Sequence, residues 1–309
     1  MIKTVGLSKN YKNVAALVDL DLTIDGGTVF GFIGPNGAGK TTAMSILATL
    51  LAPTKGKAFV GGYEVTEQPA EVRQLIGYMP DFFGVYDNLK VEEYLDFYAQ
   101  AYFVPAARRP GLIKDLLELV NLSGKEDAYV DTLSRGMKQR LGLARCLVHS
   151  PQVLILDEPA SGLDPRARVE MREILKELRK MGKTILISSH ILLELTEMCD
   201  TIGIIEQGRL VACGSVEDII AQVKSSNVVQ VSLLNREDEA GAFLAQHPLV
   251  TEIKPREGQN ILIYVKGGEE ENFRILSDLI NAGFPVSGFA VERENLEKVF
   301  MKITQEVVQ

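Results

Sequence analysis

The sequence predicts an α/β fold built on a largely parallel central sheet, followed by a smaller α+β module. Short β-branched runs without polar alternation, at 28–33, 153–156 and 184–187, have the character of strands covered on both faces. Helical patterns lie between such runs, at 41–51, 91–102, 136–149 and 165–181, the last stopped by Gly182 in a C-cap position. A length of 309 residues accommodates two domains, each with its own core.

The second part starts after residues 221–227, which carry no clear period and read as a connector. Beyond it the patterns give a strand at 228–234, a helix at 237–246 and a hairpin from 250–255 and 260–266. A helix at 269–281 ending at Gly283, a strand at 286–291 and a terminal helix at 294–303 follow. Strand, helix, two strands, helix, strand is the order of a split βαβ, ferredoxin-like module.

Composition narrows the function. Apolar residues make up 46% and charged residues 24% of the chain, as in ordinary globular proteins. The net charge of −8 argues against a nucleic-acid-binding surface, which needs clustered Lys and Arg to neutralise phosphates. Residues 228–309 hold eight Lys and Arg against thirteen Asp and Glu, so most of the negative charge belongs to the smaller module. Cys146, Cys199 and Cys213 are odd in number and lack metal-ligand spacing, which fits a reducing compartment. No apolar run reaches the ~18 residues of a membrane span, and the first residues lack the apolar block of a secretory signal.

The strongest motif is the run Gly34, Pro35, Asn36, Gly37, Ala38, Gly39, Lys40, Thr41, which fits G-x-x-x-x-G-K-[ST] between a buried-strand pattern and a helical one. Its glycines let consecutive backbone N–H groups curl around phosphate oxygens, and the following helix adds about half a positive charge at its N-terminus. Lys40 is placed to reach the β- and γ-phosphates, Thr41 to put its hydroxyl on Mg²⁺, and Thr42 to reach the α-phosphate. The strand at 153–156 then delivers Asp157 and Glu158, adjacent carboxylates at the mouth of an apolar run. Such a pair is costly unless a cation or a proton transfer uses it. Asp157 is expected in the Mg²⁺ shell and Glu158 as the group that polarises the attacking water. A second helix N-terminus, behind Ser134, offers another anion site, and its hydroxyl also suits an ordinary N-cap.

In this order the residues resemble the ABC transporter ATPases. Leu133, Ser134, Arg135, Gly136, Met137, Lys138, Gln139 and Arg140 are similar to the family's signature peptide, 23 residues ahead of Asp157. Ser161, Gly162, Leu163 and Asp164 resemble the loop after the catalytic glutamate, and His190 resembles the switch histidine. Tyr11, 23 residues before Gly34, stands where the family stacks an aromatic ring on adenine. The resemblance covers residues 1 to about 220. It implies a P-loop NTPase cassette over 1–222, with a helical subdomain at about 80–135, and an accessory or regulatory module over 228–309.

The resemblance also implies ATP and Mg²⁺ as cofactors and a homodimer of head-to-tail cassettes. Each nucleotide would lie between the cradle of one copy and Ser134 and Gly136 of the other, with His190 donating to the γ-phosphate. The Leu133–Gln139 variant and the small C-terminal module look like the branch that serves type-two exporters. That branch works through a separate transmembrane permease subunit, which would hold this chain peripherally at the cytoplasmic, inner face of the membrane. The exposed loop at 82–86 is the expected contact. The face formed by Val91, Tyr94, Leu95, Tyr98 and Tyr102 reads as subdomain core, and His149 and His247 read as structural. The alternative, a soluble ABC ATPase acting on the ribosome or on nucleic acid, fits less well with one cradle, no heptad run and an acidic balance.

Two positions depart from the family pattern. Asp81 replaces a glutamine that contacts Mg²⁺, and remains able to bind the metal directly or through water. Arg135 and Met137 replace glycine and glutamine in the signature, and Arg135 brings a cation toward the expected γ-phosphate site.

Overall fold

Apolar runs without alternation become strands buried along their whole length. Val29–Ile33, Val153–Leu156 and Thr184–Ser189 are buried at every position in the computed structural model. The structure describes residues 1–12, 14–82, 84, 88–219, 227–255 and 260–292. The chain divides into two compact units, Met1–Val216 and Glu217–Gln309.

The first unit begins with β1 (Ile2–Tyr11), β2 (Val14–Ile24), β3 (Val29–Ile33), α1 (Lys40–Leu47), β4 (Lys55–Val60), β5 (Tyr63–Glu64), α2 (Pro69–Leu75) and β6 (Ile76–Met79). It continues with α3 (Val91–Ala101), α4 (Arg109–Leu119), α5 (Arg135–Leu147), β7 (Val153–Leu156), α6 (Pro165–Lys180), β8 (Thr184–Ser189), α7 (Leu192–Thr196), β9 (Thr201–Glu206) and β10 (Arg209–Ser215). Six strands form the central sheet in the order β10-β9-β3-β8-β7-β6. All neighbours are parallel except the β10–β9 edge pair. A second, antiparallel sheet runs β2-β1-β4-β5. One apolar core joins the two sheets around α1, with Leu17, Phe30, Met44, Ile46, Ile155 and Leu186 among its members. The crossovers leave the carboxyl ends of the parallel strands on one edge, where open α/β sheets bind ligands.

Several helix ends differ from the sequence expectation by one to four residues. The first helix stops at Leu47 rather than residue 51, because Thr49 turns to φ 61 and the Leu50 N–H closes on the Ser45 carbonyl at 2.9 Å. The helix expected at 136–149 starts one residue earlier, at Arg135, with Ser134 as its N-cap. In the helical subdomain Val91, Tyr94 and Leu95 are fully buried and Tyr98 half-buried, as expected for subdomain core, whereas Tyr102, just past the end of α3, is 42% exposed and does not belong to it.

His149 shows the subdomain packing on the sheet. Its Nε2–H donates to the Ile76 carbonyl at 2.8 Å, and its ring stacks on Tyr102 with centroids 3.8 Å apart. Nδ1 has no hydrogen-bond partner, and burial holds the imidazole below the usual histidine range. A base whose folded pKa is depressed binds its proton more readily in the unfolded chain. Its neutral form therefore contributes fully above about pH 6.5, and stability is lost as pH falls below that value. Denaturation of the wild type should show a falling midpoint between pH 7.5 and 5.5, and His149→Gln should flatten that slope. An identical slope in the variant removes His149 as its source.

In the second unit β11 (Asn227–Leu233), α8 (Glu237–Ala245), β12 (Val250–Pro255), β13 (Asn260–Val265), α9 (Glu269–Asn281) and β14 (Val286–Glu292) follow in order. The sheet order is β12-β13-β11-β14, antiparallel throughout, so each βαβ half is split by a strand of the other half. Its own core contains Val229, Val231, Leu244, Ile263, Ile275 and Leu279. The connector at 221–227, apart from Asn227, and the terminal helix expected at 294–303 lie outside the described residues.

Candidate active site

The turn from β3 into α1 is shaped by close approach. A Cβ on Gly34 would fall 2.3 Å from the Ile205 carbonyl oxygen, and one on Gly39, at φ 109, would fall 2.5 Å from that of Ala16. Only glycine allows both contacts. Pro35, Asn36 and Gly37 are exposed and Ala38 is buried. The loop is tied down by Ala38 N–H to the Pro35 carbonyl at 3.1 Å and Gly208 N–H to the Ala38 carbonyl at 2.9 Å. The first N–H groups of α1 have no intrahelical acceptor, so they remain available to an anion. Lys40 opens the helix with its side chain 6% exposed, and its ammonium donates to the carbonyls of Gly34 at 2.7 Å and Pro35 at 3.3 Å. Thr41 is exposed and Thr42 half-buried.

The ends of β7 and β8 bring up the other groups. Asp157, 1% exposed, accepts the Ser188 hydroxyl proton at Oδ1 while its N–H donates to the Met79 carbonyl at 2.8 Å. Ser188 Oγ also accepts the Glu158 N–H at 2.9 Å, so one serine of β8 fixes both residues of the carboxylate pair. Glu158 adopts φ 51, a left-handed conformation uncommon outside glycine. Its Oε1 lies 3.6 Å from the Lys40 ammonium and its Oε2 2.9 Å from His190 Nδ1. Lys40, Glu158 and His190 thus form a chain across the carboxyl ends of three neighbouring strands.

These residues fit a magnesium nucleotide. Asp157 Oδ2 is buried without a hydrogen-bond partner, and a buried carboxylate oxygen with no donor is costly unless a cation faces it. With the Thr41 hydroxyl it supplies oxygen donors of the kind Mg²⁺ takes. Asp81 is exposed, two residues past β6. Because Met79 pairs in register with Leu156, Asp81 and Asp157 leave the sheet at the same end.

Other expected site residues lie apart from this chain of contacts. Ser134 Oγ accepts the Met137 N–H at 3.3 Å as the N-cap of α5. Gly136 sits where a Cβ would come 2.9 Å from that of Ala167, so α5 and α6 pack closely there. The Arg135 guanidinium lies over Gly162, where a Cβ would meet it at 2.4 Å. Tyr11 is 46% exposed, with the Lys9 ammonium 5.3 Å from its ring centroid. Asp164 Oδ1 caps α6 by accepting the Ala167 N–H at 2.9 Å. His247 pairs with Asp278 at 3.1 Å. Phe82 is exposed, and most of the loop it begins, including Phe83 and Tyr86, lies outside the described residues.

Ser188 had no role in the sequence reading. Its one signal is a buried hydroxyl residue directly after the apolar run Ile185–Ile187, one step before Ser189 and two before His190.

Residues 17–161 match the family model of the ABC transporters. The chain is 35% identical over 305 residues to the ABC transporter ATP-binding protein YcbN of Bacillus subtilis, covering 98% of this chain and 96% of that one. It is 35% identical over 306 residues to the Nod factor export ATP-binding protein I of Burkholderia lata, with the same coverage. A solved ATP-binding subunit of an ABC transporter superposes with TM-score 0.66 at 31% identity, over 72% of this chain and 93% of that one. Among the described residues no helix is long and apolar enough to cross a membrane. A phosphate cradle, strand-end carboxylates and relatedness along nearly the whole chain lead to one assignment: the protein belongs to the ATP-binding proteins of the ABC transporter family, which are ATPases.

Proposed function

We propose that the protein hydrolyses Mg-ATP between two head-to-tail copies and uses the cycle to drive export through a separate transmembrane permease. The observation that carries this reading is the Lys40–Glu158–His190 chain beside the glycine turn. Bound Mg²⁺ would supply charge neutralisation on the phosphate oxygens, held by Thr41, Asp157 and Asp81. Lys40 binds the β- and γ-phosphates, and the free N–H groups of α1 orient them. Glu158 then takes a proton from water as the water oxygen bonds to the γ-phosphorus and the bond to the β,γ-bridging oxygen breaks, giving ADP and phosphate. His190 donates to the γ-phosphate, while Tyr11 stacks on the adenine. Ser134 and Gly136 close on the nucleotide of the other copy, so ATP favours the closed pair and its hydrolysis removes that preference.

Export is the direction favoured by relatives named for Nod factor export and for linearmycin resistance, the latter in Bacillus subtilis at 28% identity. The protein would sit at the cytoplasmic face of the membrane, held there by the permease. Residues 1–222 act as the cassette, and 228–309 stabilise or regulate its dimer.

The test is ATP turnover by the purified full chain, alone and reconstituted with a transmembrane permease subunit that co-purifies with it. Magnesium-dependent release of phosphate, accelerated by the permease, is expected. Transfer of the phosphoryl group to an acceptor other than water overturns the reading. Asp81→Asn tests the metal contact separately: the Mg²⁺ concentration for half-maximal turnover should rise about 10-fold, the scale on which loss of a ligand or its supporting group acts. An unchanged Mg²⁺ dependence removes Asp81 from the site.

A further inference from the structure

We infer that Glu194 is the positioning residue for His190, working through Ser189 and anchored by Arg168; the inference rests on the hydrolytic role proposed above for His190 and Glu158. His190 is the first residue beyond β8, so it has no ladder bonds of its own to hold it. Its side chain is 42% exposed. The backbone on either side is held instead by a side chain, because Ser189 Oγ accepts the Ile191 N–H at 3.0 Å and donates to Glu194 Oε2 at 3.1 Å. Glu194 projects from α7 with only 12% of its side chain exposed, and its Oε1 lies 3.4 Å from Arg168 Nε.

Arg168 belongs to the first turn of α6, where its N–H bonds the Asp164 carbonyl at 3.0 Å. The contacts therefore run from the loop after Glu158, through Asp164, Arg168, Glu194 and Ser189, to His190, which closes the ring on Glu158 at 2.9 Å. A cavity of about 200 Å³ opens beside the ion pair, lined by Ala160, Pro165, Arg168, Val169, Glu194 and Met198. The charged pair spans α6 and the histidine segment at the edge of this cavity. The Arg172–Glu197 ion pair borders the same cavity as a second tie.

A positioning role predicts a loss in kcat with little change in KM, since the cradle that binds ATP is untouched. Misplacement of a reacting group by about 1 Å costs up to about 10²-fold. In the full chain, Glu194→Ala should lower kcat about 10- to 100-fold with the KM for ATP within about twofold of wild type. Glu194→Gln keeps an acceptor for Ser189 and loses the charge, so its smaller loss should match that of Arg168→Ala. The double variant Arg168→Ala/Glu194→Ala should be no slower than Glu194→Ala, because both act on one link. Turnover near wild type in Glu194→Gln and Arg168→Ala, a loss expressed in KM, or losses that multiply in the double variant would overturn the inference. Wild-type protein that releases no phosphate from ATP overturns the hydrolytic reading itself. Should Glu194→Ala fail to fold, the comparison of Glu194→Gln, Arg168→Ala and their double variant decides.

Discussion

Glu158→Gln is expected to lower ATP turnover by about 10²- to 10⁴-fold, the range for removing a general base, with ATP binding retained. The amide has the shape of the carboxylate and tolerates φ 51 no worse than glutamate does. Lys40 keeps its donations to the Gly34 and Pro35 carbonyls, so the phosphate cradle stays formed. What disappears is the acceptor for the water proton, together with the charge shared between Lys40 and His190. A nucleotide that binds and is not hydrolysed should hold two copies together, and light scattering should show an ATP-dependent dimer that persists. Turnover at the wild-type rate would move the base to another residue.

Asp157→Asn is expected to raise the thermal midpoint in metal-free buffer while lowering turnover by about two to three orders of magnitude, the scale of several kcal/mol supplied by a metal ion. The carboxylate is 1% exposed and only one of its oxygens has a donor, from Ser188. Asparagine keeps an acceptor for that hydroxyl and removes the buried anionic oxygen, whose desolvation outweighs what one hydrogen bond returns. About 1 kcal/mol recovered corresponds to a rise of about 2–4 °C in a domain of this size. With Mg-ATP added, the order should reverse, because ligand binding stabilises the wild type by mass action. A midpoint that falls in metal-free buffer would show that Asp157 contributes to the fold.

The parallel sheet and the cradle were legible because their signals are local. Apolar runs such as Val153–Leu156 read as covered strands, and the glycine turn sits between a strand and a helix as the chemistry demands. The antiparallel sheet β2-β1-β4-β5 was not read. Register shifts interrupt β1 three times against β2, and its burial departs from strict alternation, so period-2 patterning is lost. The early end of α1 was missed because Thr49, a β-branched residue, takes the left-handed turn that glycine usually announces. Ser188 was missed for another reason: its partners lie 30 and 31 residues away in sequence, and only the sheet brings them together.

The strand that carries the cradle also dictates when the site can exist during synthesis. β3 pairs with β8 on one side, Val29 opposite Ile185, and with β9 on the other, Phe30 opposite Thr201. The glycine turn is moulded against Ile205, a residue of β9. Such long loops must close before their contacts contribute, which makes this sheet slow to form and leaves β3 without partners until late. A nascent chain halted before residue 184 therefore displays the whole phosphate motif without the surface that shapes it. Nucleotide affinity should appear in a series of stalled chains only after β9 has left the ribosome, making ATP a reporter of the completed sheet.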